Sequence, residues 1–154
     1  DVHLAVCPLY HATAFGFTGM TFLVGGTVVV LPEFRPELFL EAIQRYRVAT
    51  TAVVPTMLHR VLELGTERIR SYDTSSLRAI FSGGAPLPGQ LAIDVMNVLG
   101  DKVYQTVIPR NVRISEAPSH GKPVLLYDHG CVGSQAYIRL ASEIIRRERE
   151  LRAA

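Results

Sequence analysis

The stretch LRAIFSGGAPLPG, residues 77–89, decides the fold class of this chain. LRAIFS is a continuous apolar run of strand length. The two glycines that follow it, Gly83 and Gly84, let the backbone turn sharply and approach a flat ligand closely. The prolines stiffen the rest of the loop before a helical pattern begins. Taken alone, this pattern indicates a tight turn between a buried strand and a helix.

The amino-terminal side of the chain repeats the same alternation of strand and helix. Continuous apolar strands separated by helices predict an α/β fold, with a parallel sheet covered by helices on both faces. Ligands in such folds bind beyond the carboxyl ends of the strands. The loops PLYHATAFG (8–16) and SGGAPLP (82–88) are therefore the candidate ligand-binding loops. We predict strands at 3–8, 27–31, 49–55 and 77–82, and helices at 11–24, 36–46, 57–62 with a cap at Gly65, and 90–99.

The pattern changes after residue 100. KVYQTVIP (102–109) and PVLLYD (123–128) predict two further strands, and a polar loop connects them. A helix is predicted from Gly133 toward the carboxyl terminus. An alternative arrangement pairs TVIP with the LRAIFS strand in a single sheet. Otherwise the chain divides into two partial domains, residues 1–104 and 105–154.

Composition limits the classes of function. The chain has 154 residues, 48% of them hydrophobic, and a formal net charge of +2, too small to imply binding to nucleic acid or membrane by itself. Residues 1–100 carry 7 basic and 8 acidic side chains, whereas residues 101–154 carry 9 and 6. The basic carboxyl-terminal end favours a solvated helix face over a nucleic-acid contact.

Two cysteines, Cys7 and Cys131, are too few for a disulfide framework, so we expect a cytoplasmic protein. Residues 12–32 carry no charge, but the glycine pair Gly25–Gly26 and the β-branched run after it favour a buried helix and strand over a membrane span. Because the chain opens on Asp1, we expect it to be cut from a longer protein. No membrane partner is predicted.

Several common catalytic motifs are missing from these residues. The sequence has no GxxxxGK[ST] phosphate loop, GxGxxG, GxSxG, HExxH or CxxC, and the 5 histidines do not follow metal-ligand spacing. We therefore assign no catalytic residue and no metal ligand. A nucleotide enzyme without a phosphate cradle lacks the main anchor for its triphosphate.

The order PLYH, GGTVVVLPEF, TTAVVPTML and SLRAIFSGGAPLP resembles the adenylate-forming acyl-CoA synthetase family over about residues 1–104. The resemblance implies ATP or AMP as cofactor. It implies that His11 lies near the acyl and CoA-binding region. It also implies that Ser82–Leu87 lies against adenine, so that Gly83, Gly84, Ala85 and Pro86 are the candidate nucleotide-binding residues.

The same family places a YGxTE-like segment after the strand that ends in GDKVYQ. Its tyrosine stacks near adenine and its acid supports magnesium, whereas this chain reads TVIPRN there. The family's phosphate loop would precede Asp1, and its lid with the catalytic lysine would follow later. Adenylation needs positioned charge around the phosphates. The resemblance therefore implies that magnesium is not held and that nucleotide binding is weak or absent in these residues.

The carboxyl-terminal part, TVIPRNVRISEAPSHGKPVLLYD followed by GSQAYIRLASEII, resembles the end of ParA-type chromosome-partition ATPases from about Lys102 to Glu148. That resemblance implies that Pro109, Arg110 and Asn111 lie beside adenine. It also makes Arg110 and Arg113 candidates for non-specific DNA binding.

Three hypotheses follow. The leading one is a fusion of an acyl-CoA synthetase fragment with a ParA-like fragment, not catalytic alone. The alternatives are a weak adenine-nucleotide-binding module and a DNA-associating partition fragment. Because strand edges and apolar faces would be left uncovered, we also expect oligomers or aggregation.

Overall fold

The chain divides into two compact units, Asp1–Val103 and Tyr104–Ala154. A computed structural model describes residues 1–100 and 104–153, with side chains described as far as residue 150. Every strand found in those ranges lies in the first unit. Within the same ranges, no helix combines the length and the apolar character that crossing a membrane requires.

The first unit is built on a four-stranded parallel sheet of strand order β2-β1-β3-β4. His3 pairs with Val28 on one side and Thr50 on the other, and Thr50 pairs with Ala79. The α/β class predicted from the sequence is confirmed. The strands are β1 (Val2–Ala5), β2 (Thr27–Val30), β3 (Thr50–Val53) and β4 (Ala79–Ser82).

Helices connect the strands, and the four predicted for this unit are confirmed to within a few residues. A fifth, α4, was not predicted, and the assignment of Gly65 as the cap of the preceding helix was wrong. That helix is capped by Glu63, whereas Gly65, at φ +81°, caps the start of α4. The helices are α1 (Ala12–Leu23), α2 (Pro36–Tyr46), α3 (Pro55–Leu62), α4 (Thr66–Arg70) and α5 (Gly89–Leu99).

The two faces of the sheet are covered unequally. One face carries the main apolar core, because alternate strand residues such as Leu4 and Val53 pack with buried side chains of α2 and α3, including Phe39, Ile43 and Leu58. Phe39, Leu4 and Ile43 on this face are among the largest fully buried side chains of the described residues.

The other face is covered by α1, which contacts β1, β2 and β3. The edge strand β4 is left partly uncovered, so that Phe81 is 42% exposed. Ala5, two positions after His3, lies on this face, as do Ala52, which pairs with Ala5, and Ala79, which pairs with Thr50. These small side chains leave space between α1 and β4, and that space is where the candidate site lies.

The second unit contains only helical elements in its described part. They are α6 (Val112–Glu116), a 3₁₀ helix (Ala117–His120), α7 (Val124–Tyr127) and α8 (Val132–Ala153). The predicted helix from Gly133 is confirmed. The predicted loop over 110–123 instead contains two short helices.

Both strands predicted for the second unit were wrong. PVLLYD forms the single turn α7, closed by Tyr127 N–H to Pro123 C=O at 3.0 Å and Asp128 N–H to Val124 C=O at 2.9 Å. Residues 104–109 of KVYQTVIP are irregular, and residues 102 and 103 lie outside the described residues. The proposed pairing of TVIP with β4 was also wrong, because β3 is the only neighbour of β4 among the described strands.

The physical reason is the lack of a pairing strand. A strand satisfies its backbone groups through a neighbour, whereas a helical turn satisfies them locally. In the described part of the second unit no strand is available to pair with PVLLYD. The backbone of this apolar segment therefore forms local hydrogen bonds in a helical turn. Pro123, at φ −60°, precedes the turn.

Candidate functional site

A cleft of about 520 Å³ lies between α1 and the end of β4 in the first unit. It opens at the carboxyl edge of the sheet, where the sequence places the two candidate loops. Small residues on the first two turns of α1 form one wall, and the end of β4 forms the other. Its lining residues are Ala12, Thr13, Gly16, Phe17, Met20, Phe81, Ser82 and Gly83.

The glycine pair after β4 shapes the mouth of this cleft. Gly83 continues the strand by donating its N–H to Val53 C=O at 3.1 Å. Gly84 adopts φ +80°, a backbone conformation that side chains with a Cβ disfavour. A Cβ added at Gly84 would lie 3.4 Å from Val54 Cγ1. The turn therefore depends on glycine at position 84 and bends the loop away from the sheet.

The structure brings together part of the predicted nucleotide site. Gly83 lines the cleft, and the first turn of α1 reaches it directly after His11. His11 is the N-cap residue of α1. Its backbone N–H donates to Pro8 C=O at 2.9 Å, and its side chain is exposed. Ala85 and Pro86 are exposed in the loop beyond the cleft, and neither is part of its lining.

Aromatic side chains form the floor of the cleft. The Phe17 and Phe81 rings lie 4.8 Å apart between centroids and are tilted by 34°. On its other side Phe17 stacks on His3, at 5.5 Å and 8° between the planes. A second cleft, of about 330 Å³, shares Phe17, Met20 and Phe81 with the first and reaches His3 and Thr50. The two clefts thus adjoin at these shared side chains.

The polar residue His3 lines the smaller cleft but not the larger one. It is 2% exposed, and its Nδ1 lies 2.9 Å from Thr50 Oγ1. Its Nε2 is buried and has no hydrogen-bond partner among the described residues. Burial lowers the pKa of the imidazole, because the charged form loses its hydration. A neutral imidazole with one unpaired nitrogen therefore borders the smaller cleft.

Sequence analysis missed Phe17, Phe81, Met20 and His3 as site residues. Two signals were present. Gly16 and Met20 follow Ala12 at four-residue spacing, which places all three on one side of α1. Phe81 stands two residues after Ala79 in β4, so the two share a face of the sheet.

In the second unit, the predicted adenine-contacting residues precede α6. Asn111 caps that helix, since its Oδ1 accepts the Arg113 N–H at 3.0 Å. Arg110 is exposed and Pro109 is half-buried. The Arg113 guanidinium pairs with Glu116 at 2.9 Å and with Asp128 at 3.4 Å. The Asn111 side chain is thus used in capping, and Arg113 is held by two acids.

The most polar feature of the second unit is the buried carboxylate of Glu143, 8% exposed. It accepts the backbone N–H of Gln105 at 2.8 Å, the N–H and hydroxyl of Thr106 at 2.9 and 2.7 Å, and Arg147 Nη2 at 2.8 Å. Burial raises its pKa, but these hydrogen bonds and the nearby arginine outweigh burial and lower the pKa to about 2. Glu143 lines a cleft of about 630 Å³ that does not include the residues at 109–111.

No group of three or more histidine, cysteine, aspartate or glutamate side chains suited to a metal ion occurs in the described part of the chain. Both cysteines are free, with Cys7 buried and Cys131 half-buried. The cleft walls are largely apolar, and the polar groups that reach it are hydroxyls and backbone amides. The described lining of the cleft is therefore mostly apolar.

Comparison with known proteins identifies two different sources of similarity. The AMP-binding enzyme family matches residues 1–107. Feruloyl-CoA synthase from Amycolatopsis sp. is 42% identical over 90 residues, which cover 58% of this chain and 18% of the relative. The o-succinylbenzoate CoA synthetase MenE from Bacillus subtilis, in complex with the acyl-adenylate intermediate OSB-AMP, superposes with a TM-score of 0.58 at 28% identity. That match covers 65% of this chain and 20% of the MenE chain.

A different region is similar to chromosome-partition proteins. The chromosome partitioning protein ParA from Caulobacter vibrioides is 66% identical over 67 residues, 44% of this chain and 25% of the relative. The chain thus spans about a quarter or less of the length of each of these relatives. Its sequence combines an acyl-CoA synthetase-like segment with a ParA-like segment, as predicted.

Proposed function

The chain belongs to the AMP-binding enzyme family through residues 1–107, and we propose that its first unit binds AMP or an acyl-adenylate without catalysing adenylation by itself. The observation that carries the proposal is the cleft between α1 and β4, which ends at Ser82 and Gly83. We assign the adenine to the loop Gly83–Pro86, and the acyl group to the cleft.

The loop geometry supports the adenine assignment. Gly83 and Gly84 carry no side chains, so an aromatic base can lie flat against their peptide planes. The loop residues Ala85 and Pro86 are exposed and small, which leaves the face of the loop open to a ligand. His11, at the start of α1 and exposed, is assigned to the side where the acyl group leaves the cleft.

The walls of the cleft support an apolar acyl group. Phe17, Met20 and Phe81 provide apolar contact area, and aromatic side chains stack well on a ring. The related synthetase from Amycolatopsis is a feruloyl-CoA synthase. We therefore propose an aromatic carboxylate, joined to AMP, as the preferred ligand.

The absence of adenylation is proposed on chemical grounds. Transfer of the adenylyl group requires charge positioned around the phosphates in the transition state. The residues that line the cleft include no arginine, lysine or carboxylate. TVIPRN stands where the family places an acid that supports magnesium. Binding of adenine is therefore expected to be weak, with a Kd of about 1 mM.

The experiment is a titration of the full 154-residue chain with AMP and ATP, followed by heteronuclear NMR. Saturable shifts of the Ser82 and Gly83 amides are expected, and they should be lost in Gly84→Trp. Gly121→Trp is the matched control, since Gly121 also has positive φ, at +62°, and lies in the second unit. Absence of saturable shifts would overturn the nucleotide site. Pyrophosphate release from ATP and an aromatic acid would overturn the non-catalytic assignment.

A second candidate function is non-specific DNA association through the second unit. It is favoured by the similarity to ParA and by the exposed Arg110. Phosphate contacts by arginine supply most non-specific affinity for DNA, and they weaken with salt.

The free thiols of both cysteines suit the reducing cytoplasm, which is the compartment we propose.

A further inference from the structure

We propose that His3 is a specificity-determining residue of the acyl cleft, which selects aromatic acyl groups that carry a hydroxyl at the end remote from the carboxylate. This inference rests on the proposed function, because it takes the cleft between α1 and β4 as the acyl site. It assigns a role to a strand residue far in sequence from the SGGAPLP loop.

The first support is the unpaired nitrogen. Nε2 of His3 is buried and has no partner among the described residues, whereas Nδ1 is held by Thr50 Oγ1 at 2.9 Å. Buried polar atoms in folded proteins are nearly always hydrogen-bonded, and an exception calls for an explanation. A ligand that supplies the missing partner explains this one.

The second support is the position of the ring. His3 lines the smaller cleft, which shares Phe17, Met20 and Phe81 with the larger one. A ligand ring lying against Phe17 and Phe81 would therefore point toward His3. Because Nε2 is covered, the hydroxyl reaches it only when side chains shared by the two clefts move, and Met20, which is 63% exposed, is one of them. Methionine adapts in this way because it is unbranched and flexible.

The third support is distance. In the register of the sheet, His3 lies level with Ala79, which is two strands away. Ala79 precedes Ser82 by three residues along β4. With a strand spacing of ~4.8 Å and a rise of ~3.3 Å per residue, the Cα atoms of His3 and Ser82 are about 14 Å apart. An acyl group with a two-carbon linker and one ring measures about 8 Å to a terminal hydroxyl, from bonds of about 1.5 Å, and it covers somewhat more than half of that distance.

The fourth support is the chemistry of the pair. Burial lowers the pKa of His3 and so favours the neutral imidazole, in which Nε2 is either a donor or an acceptor, depending on the tautomer. A phenolic hydroxyl both donates and accepts, and it therefore satisfies Nε2 in either tautomer. A ring without a polar substituent leaves Nε2 unpaired, as in the unliganded protein. The site discriminates between the two ligands because the one without a hydroxyl leaves the buried Nε2 unpaired, which lowers its affinity.

The test compares two adenylate analogues on the full chain, the acylsulfamoyl adenosines of 4-hydroxycinnamic acid and of cinnamic acid. Calorimetry should show about tenfold tighter binding of the hydroxylated probe, the effect of one additional hydrogen bond. In His3→Phe, which keeps the stacking on Phe17, the two affinities should become equal. Thr51→Val, on the opposite face of β3, should keep the tenfold difference.

A measurement on the unmodified chain guards against a variant that fails to fold. The ¹⁵N resonance of His3 Nε2 should shift on saturation with the hydroxylated probe, and it should stay in place with the plain probe. AMP alone is titrated in parallel. If AMP binds and both acyl probes bind equally, His3 has no selective role, and the nucleotide site stands. If AMP and both probes fail to bind, the proposed function falls, and this inference falls with it.

Discussion

Thr106 donates both its backbone N–H and its hydroxyl to the carboxylate of Glu143, over 2.9 and 2.7 Å. This pair fixes the irregular segment at 104–109 to helix α8 within the second unit. The residues were expected to form a strand, and their amides are instead satisfied by a side chain. Glu143 therefore takes the role that a neighbouring strand would have taken.

Loss of this carboxylate should destabilise the second unit. Glu143→Gln keeps the shape of the side chain but removes the charge that four donor groups share. We expect a loss of about 2 kcal/mol, the usual worth of hydrogen bonds to a charged group. Hydrogen exchange of the Gln105 and Thr106 amides measures it. Glu150→Gln, an exposed acid on the same helix, is the control, and equal exchange in both variants would refute the assignment.

The same interaction should make the second unit sensitive to acid. The folded pKa of Glu143 is about 2, below the ordinary 4.5. Between these values the unfolded chain binds a proton that the folded chain does not, so stability falls as the pH falls. The contribution is complete above pH 4.5 and is lost as the pH approaches 2. Protection of the Thr106 amide that stays constant from neutral pH to about pH 2.5 would contradict this prediction.

The two loop glycines should respond differently to alanine. Gly84 has φ +80°, and its Cβ would meet Val54 Cγ1 at 3.4 Å, whereas a Cβ at Gly83 meets no atom within 4 Å. We expect Gly84→Ala to lower the free energy of unfolding by about 1–2 kcal/mol, the cost of a left-handed conformation for a residue with a Cβ. Gly83→Ala should change it by no more than about 0.5 kcal/mol. Urea denaturation of both variants measures the difference, and equal midpoints would count against the turn geometry.

Most of the first unit was predictable, because each element combines two local signals. β4, for example, joins an apolar run to a glycine pair, and α2 begins with Pro36 in its first turn. The second unit was less predictable. PVLLYD has the composition of a buried strand, but a strand forms only where another strand is available to pair with it. That condition depends on the rest of the fold and cannot be read from six residues.

The candidate site was likewise only partly predictable from the sequence. The glycine turn was identifiable because Gly83 and Gly84 leave few conformational alternatives. Phe17 and His3 were not identified, because the sequence around each is apolar on both sides. Whether each side chain faces the space between α1 and the sheet is determined only when α1 packs on the sheet. Their role follows from tertiary contacts rather than from a local motif.

Exposed apolar residues on α1 should cause self-association. Phe15 and Leu23 are 72% and 84% exposed, and neither lines the cleft. Apolar surface of this kind is uncommon on monomeric proteins and favours association. Sedimentation velocity should show oligomers that grow with concentration and diminish in the double variant Phe15→Gln/Leu23→Gln. Leu126→Gln, at a 77% exposed position in the second unit, serves as the control. Equal sedimentation of all three proteins would exclude α1 as the contact.

The two candidate DNA-binding arginines of the second unit, Arg110 and Arg113, should contribute unequally to any DNA binding. Arg110 is exposed, whereas Arg113 is held by Glu116 at 2.9 Å and by Asp128 at 3.4 Å. An arginine already paired with acids has less to gain from a phosphate, so Arg110→Ala should weaken binding more than Arg113→Ala. Removing an arginine that binds a phosphate should reduce the slope of log K against log salt by about 1. Glu116→Gln should strengthen binding, because it removes the charge of the nearer of the two acids that hold Arg113. Fluorescence anisotropy with a random duplex at several salt concentrations measures all three variants, and retention that none of them alters would exclude this surface.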